Sequence, residues 1–169
     1  MCMFRDLRAD EIECRVAQAK GTGVSLLLYK DARCDQSILD ETVSPMGWQR
    51  CHSRDNANCT VSIWDKEKGQ WISKEDTGTE SNTEKEKGLA SDSFKRACFN
   101  WGIGRELYTA PFIWIKPEDC TSLIQKGERW QCFDSFFVEK IVIEHKRITA
   151  ISIKNQKTGK RCFVWQANK

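Results

Sequence analysis

The sequence predicts an α+β fold built from an antiparallel β-meander, a long helix and C-terminal β-hairpins, and three observations predict it. Three short runs, Trp48–Ser53, Thr60–Asp65 and Gln70–Glu75, are separated by turn-prone segments, as strands of a meander are. They are followed by a capped, amphipathic stretch at 83–101. Near the C-terminus, Phe136–Glu144 and Arg147–Lys154 alternate apolar and polar residues on either side of His145-Lys146, which is the pattern of a hairpin.

Taken in order, Ala9–Ala19 reads as a short helix, with Asp10 and Glu11 near its positive end and Ile12, Val16 and Ala19 along one side. Gly21 and Gly23 end it. Val24–Lys30 is dense in Leu and reads as a strand buried on both faces. Asp35–Val43 reads as a second helix, with Ile38, Leu39 and Val43 on one face and Pro45 and Gly47 as stop signals. The three meander strands are joined by Arg54-Asp55-Asn56-Ala57-Asn58 and by Lys66-Glu67-Lys68-Gly69.

The long helix has a start and a stop. Thr83 and Glu86 make a capping box, each satisfying an orphan backbone N–H. At about 100° per residue, Ala90, Phe94, Ala97, Cys98 and Trp101 form one stripe that faces a core. Gly102 supplies the left-handed cap, which places Ile103 against Cys98. The same geometry points Lys95 and Arg96 away from the stripe. Beyond it, Pro111–Lys116 is extended, Pro117–Gln125 reads as a short helix, and Arg161–Gln166 follows a polar turn as a final strand.

Composition narrows the class. With 40% hydrophobic and 30% charged residues, ten glycines and three prolines in 169 residues, the chain is globular rather than disordered. No apolar run reaches the ~20 residues of a membrane helix, and MCMFRDLRADE lacks the apolar core of a secretory signal. A cytoplasmic protein is expected. Nine cysteines, an odd number with no export signal, argue against a disulfide framework and for small buried residues in a reducing compartment. No metal or other cofactor is expected, because the close Cys/His pairs of structural zinc sites are missing; Cys51, His52 and Cys59 are the scattered exception.

Charge is uneven. Residues 140–169 carry eight Lys and Arg against Glu144, a net +7 in a chain of net +3, so the first 139 residues are net −4. A basic C-terminal tract sits on a mildly acidic body. Two readings of that tract stay open: a nucleic-acid contact through Lys157, Lys160 and Arg161, or a final strand needed for folding.

Enzymatic chemistry has no signature here. The acids Asp35, Asp40, Asp65, Asp76 and Glu80 show no metal spacing, no phosphate-binding loop occurs, and Gly102-x-Gly104 ends a helix rather than opening one. A non-enzyme is expected. Two adjacent cations on a solvated helix face carry little signal by themselves.

The residues around them carry more. Lys87-Gly88, Ser91-Asp92-Ser93-Phe94-Lys95-Arg96-Ala97, Trp101-Gly102-Ile103-Gly104-Arg105 and Leu107-Tyr108 together resemble the signature helix of the Rad-fifty-two-type single-strand annealing proteins, most closely their phage and bacterial branch. Trp71, Asp76, Gly78, Glu80 and Glu84 fall where that branch carries similar residues, and the resemblance spans roughly 26–108. Glu106 departs from it, since an aromatic or small residue is common there.

The resemblance implies a curved meander with the helix across one face, and a division into an annealing core at 1–110, signature helix 83–101, and a basic β extension at 111–169. It implies single-stranded DNA as partner, with Lys95 and Arg96 as phosphate contacts and Arg33, Arg105 and Lys87 as weaker ones; a structural ion pair is the alternative for Arg33. It further implies a ring or arc of identical subunits that anneals complementary strands without ATP or metal in a phage- or prophage-encoded recombination system. A phage or host nuclease or a single-strand-binding protein is a further candidate partner. Seven tryptophans suggest base stacking, but Trp101 on the stripe and Trp48 and Trp64 in strands are expected in the core. The rival from another class is an oligomeric protein-interaction domain of the same fold that does not bind DNA.

Overall fold

The computed structural model describes residues 4–79 and 85–168, with the side chains of 85–87 excepted. Thr83, Glu80 and Glu84 thus lie outside the described residues, as do the side chains of Glu86 and Lys87 and with them the capping box. The fold is α+β. The chain divides into two compact units: Asp31–Gly104 with the N-terminal residues through Arg5, and Asp6–Lys30 with Arg105–Lys169.

The first unit holds the meander. Helix α1 (Ala32–Val43) starts at Asp31, whose carboxylate accepts the Arg33 N–H at 2.7 Å, and buries Ile38 and Leu39. Strands β3 (Trp48–Ser53), β4 (Asn58–Asp65) and β5 (Gln70–Thr77) pair antiparallel in that order, with rows Trp48–Ile63–Ile72, Arg50–Val61–Lys74 and His52–Cys59–Asp76. The turns close as the sequence predicts: Arg54, Asp55 and Asn56 take positive φ, and Asp65 Oδ1 accepts the N–H groups of Glu67 and Lys68 at 3.0 and 3.1 Å.

Helix α2 (Lys85–Asn100) packs on β4 and β5 through fully buried Phe94, Ala97 and Cys98. It ends in a Schellman motif: Gly102 N–H bonds Phe99 O at 2.9 Å and Ile103 N–H bonds Cys98 O at 3.2 Å, with Gly102 at φ +98° and Ile103 buried. The two orphan carbonyls are thereby satisfied.

The second unit is a six-stranded antiparallel sheet, order β11-β10-β9-β1-β2-β6, with a separate β7–β8 hairpin. Its strands are β1 (Glu13–Lys20), β2 (Gly23–Tyr29), β6 (Ile113–Ile115), β9 (Phe136–Glu144), β10 (Arg147–Asn155) and β11 (Arg161–Gln166). The outer strands β11 and β6 approach one another, so the sheet curls toward closure. Val24, Leu26, Ile113, Ile115, Phe136, Val138, Ile148, Ile151 and Ile153 fill its interior. His145 and Lys146 take φ of 50° and 61°, the two left-handed residues that a tight β9–β10 hairpin requires. Glu106, in the turn Arg105–Thr109, is fully buried; it accepts the Leu7 N–H at 2.7 Å and lies 3.9 Å from Lys146 Nζ.

Four expectations change. The helix over Ala9–Ala19 is a single 3-10 turn, Ala9–Glu11, followed by strand β1. The register of β1 on β2 shifts between Val16 and Gln18. A bulge there adds a residue to the period of two, so the apolar positions fall at helix-like spacing. The helix over Pro117–Gln125 is likewise one 3-10 turn, Pro117–Asp119, because β7 (Leu123–Lys126) pairs with β8 (Arg129–Cys132). Strand β2 is buried on both faces only over 23–26; Leu27 and Tyr29 are exposed. The boundary expected at 110 falls instead at 30/31 and 104/105, because β1 and β2 pair with β9 and β6 from the C-terminal half. Among the described residues no helix is long and apolar enough to cross a membrane.

Candidate nucleic-acid interface

In the first unit the candidate cations lie on two helices that touch, α1 and α2. With Phe94, Ala97 and Cys98 turned into the sheet, Lys95 and Arg96 are half-buried on the flanks of α2. Arg96 Nε donates to Asp92 Oδ2 at 2.9 Å, one helical turn back. Asp92 also accepts the Thr79 N–H at 2.8 Å, which ties the segment after β5 to the helix. Burial works against the Asp92 carboxylate, yet the Thr79 and Arg96 hydrogen bonds and the charges of Arg96 and Lys95 bring its pKa below the usual range.

Arg33 opens α1 with its side chain 86% exposed, and its guanidinium pairs with Asp31 at 3.0 Å. Hydrogen bonds from the Arg33 side chain and backbone lower the Asp31 pKa, and the charge of Lys95 reaches the same carboxylate. Arg33, Lys95 and Arg96 thus share one neighbourhood with Asp31 and Asp92. These three cations outnumber the two acids by one.

The sheet adds two cations that sequence reasoning missed. Arg50 and Lys74 flank Val61 in one cross-strand row and lie on the α2 side, with Arg50 4.8 Å over the Phe94 ring and Lys74 4.8 Å over Trp101. Lys74 Nζ also donates to Asn100 O at 2.9 Å, at the negative end of α2. The signal was the alternation of β3 and β5, which assigns both residues to the helix side once Val61 is in the core. His52, in the next row, lies 3.4 Å from Ser93 Oγ; burial, then the charge of Arg50, lowers its pKa.

The tryptophans divide. Trp48 stacks on Phe94 with centroids 5.9 Å apart, and Trp101 donates its indole N–H to Val61 O at 3.0 Å. Trp64, expected in the core, is 40% exposed and forms an edge-on pair with Trp71, centroids 5.4 Å apart. It alternates with buried Ile63, so it projects from the opposite face of the sheet. Cys51 alternates with His52 in the same way, so Cys51, His52 and Cys59 do not converge on one metal.

The second unit holds the remaining candidates. Arg105 and Lys157 are exposed. Lys160 Nζ pairs with Asp119 at 2.7 Å, and Arg161 grips Glu139 through two bonds of 2.7 and 2.8 Å, with Lys154 on the same carboxylate at 3.1 Å. Acids from outside the basic tract therefore meet its cations. The cysteines also differ from expectation: of the eight described, Cys59 and Cys98 are buried, Cys51 is exposed and the others are half-buried.

Comparison with known proteins adds no relative: no family model, no curated protein and no solved structure matches the chain.

Proposed function

We propose that this chain binds single-stranded DNA and anneals complementary strands as an oligomer, with no nucleotide or metal ion taking part in the pairing, in a bacterial or phage recombination system. One observation carries the proposal. The helix whose sequence resembles the annealing signature lies across a three-stranded antiparallel meander, with Phe94, Ala97 and Cys98 of its apolar stripe buried and Lys95 and Arg96 on its flanks near Arg33 of α1. The order of elements is the one the resemblance implies, and it supports the reading. Arg50 and Lys74 extend the positive charge along the same side of the sheet.

Such a strip suits a phosphate backbone. Single strands are held by a cationic track with their bases left free or stacked on aromatic platforms. Asp92 and Asp31 hold Arg96 and Arg33 in position, and a phosphate oxygen competes with these carboxylates for the same N–H groups. A strand ordered with its bases outward can test a second strand, and pairing itself drives the reaction. The protein removes hairpins and charge repulsion.

The test is the Lys95→Ala/Arg96→Ala double variant. The buried stripe is untouched, so folding and assembly should be retained. The slope of log K against log salt should fall by roughly 0.7 for each lost phosphate contact. Annealing in EDTA without nucleotide should fall with it. Phe94→Ala is the contrast, since emptying a fully buried aromatic site costs on the order of 3–5 kcal/mol and damages folding first. A folded double variant that binds single strands like the parent at every salt concentration overturns the proposal and favours the protein-interaction domain, in which Arg96 and Arg33 serve only their ion pairs.

A further inference from the structure

In the second unit, Cys120 and Cys132 lie at the two ends of the β7–β8 hairpin, where Leu123 pairs with Cys132. Their sulfur atoms and a carboxylate oxygen of Asp134 all lie within 4.8 Å of one another. We propose that Cys120, Cys132 and Asp134 hold a thiophilic divalent cation of the zinc type, which closes the base of this hairpin.

The geometry fits the ion. Zinc bonds of ~2.3 Å to sulfur and ~2.0–2.2 Å to carboxylate oxygen, set at a tetrahedral angle, separate the two ligand atoms by about 3.6 Å. Cys132 Sγ and Asp134 Oδ2 are 3.7 Å apart. The carboxylate is already aimed: Thr121 and Ser122 donate their N–H groups to Oδ2 at 2.6 and 3.4 Å, and both hydroxyls bond Oδ1. Such outer partners orient metal-binding carboxylates. Two sulfur ligands select zinc or a similar soft cation and exclude magnesium and calcium, which need oxygen sets.

With three protein ligands, water fills the fourth position of a tetrahedral zinc site. The divalent cation enters as the Cys120 and Cys132 S–H protons leave to solvent, and the sulfur lone pairs bond the metal.

The full chain, purified and kept under reductant, is titrated with Co²⁺ alone. Stoichiometric appearance of thiolate-to-cobalt charge-transfer absorption with tetrahedral visible bands, bleached by Zn²⁺, is the expected result. Cys120→Ser and Cys132→Ser should each weaken binding by more than the ~10–100-fold that loss of an outer partner costs. Cys51→Ser, on an exposed site of the other unit, should leave it unchanged. Circular dichroism reports whether each variant folds, and the parent titration decides the matter if they do not. A folded, reduced parent that takes up no cobalt overturns the proposal, as does uptake unchanged in a folded Cys120→Ser/Cys132→Ser double variant. A Cys120–Cys132 disulfide in peptide maps, with no metal uptake after reduction, overturns it in favour of a redox pair.

Discussion

Glu139 shows how one side chain changes the meaning of a charge tract. It sits on β9 and its carboxylate, 14% exposed, collects Lys154 and Ser152 from β10 and Arg161 from β11 beyond it. The Arg161 hydrogen bonds, outweighing burial and helped by Lys154 and Ser152, hold its pKa far below the ordinary carboxylate range. The folded value lies below the unfolded value of about 4.3. The network therefore contributes fully above the unfolded pKa and is lost only as pH falls through the folded value. Replacing Glu139 with Gln should lower Tm by a constant amount above about pH 5 and by a shrinking amount in stronger acid. Thermal melts of both proteins across that range check it, and a gap that widens in acid would contradict the assignment. Lys160 and Arg161 thus each have an acid in contact.

Among the elements, α2 depends on a residue that carries no side chain. Gly78, just after β5, lies against the helix backbone: a Cβ there would meet Ser93 N at 2.7 Å and Leu89 O and Ser93 Cα at 3.1 Å. None of these atoms can swing aside as a side-chain tip would. The close approach lets Gly78 N–H reach Ala57 O at 2.8 Å and sets Thr79 on Asp92, which in turn holds Arg96. Gly78→Ala should force the helix away from the sheet and cost about 1–3 kcal/mol, the range for overpacked sites. Urea denaturation should show the midpoint falling, and single-strand binding should weaken in the same variant because Arg96 loses its anchor. An unchanged midpoint would mean that the segment, not the helix, gives way.

On the scale of the molecule, the open edges of the three-stranded sheet bear on assembly. β3 and β5 are its outer strands, and β5 offers eight residues of backbone. Long edges of this kind pair readily with another copy unless they are blocked. With the ring or arc that the proposed function requires, sedimentation at micromolar concentration should show a large homo-oligomer. A strict monomer at that concentration would remove a continuous DNA track, whatever each subunit binds.

Much of this was legible in the sequence. The meander strands, both main helices, the Gly102 stop and the His145-Lys146 turn follow from local rules: period, capping and turn chemistry act over a few residues and are written there. The Lys95–Arg96 placement follows from the same helical period. What was not legible depends on partners distant in the chain. Strand β1 looks helical until β2 and β9 pair with it, and β7 until β8 does, because pairing across a sheet overrides weak local propensity. The meeting of Cys120, Cys132 and Asp134, the acids set against Lys160 and Arg161, and the residue ranges of the two units were decided the same way. Distance between side chains is a property of the packed chain, and spacing along the sequence encodes it only within one element.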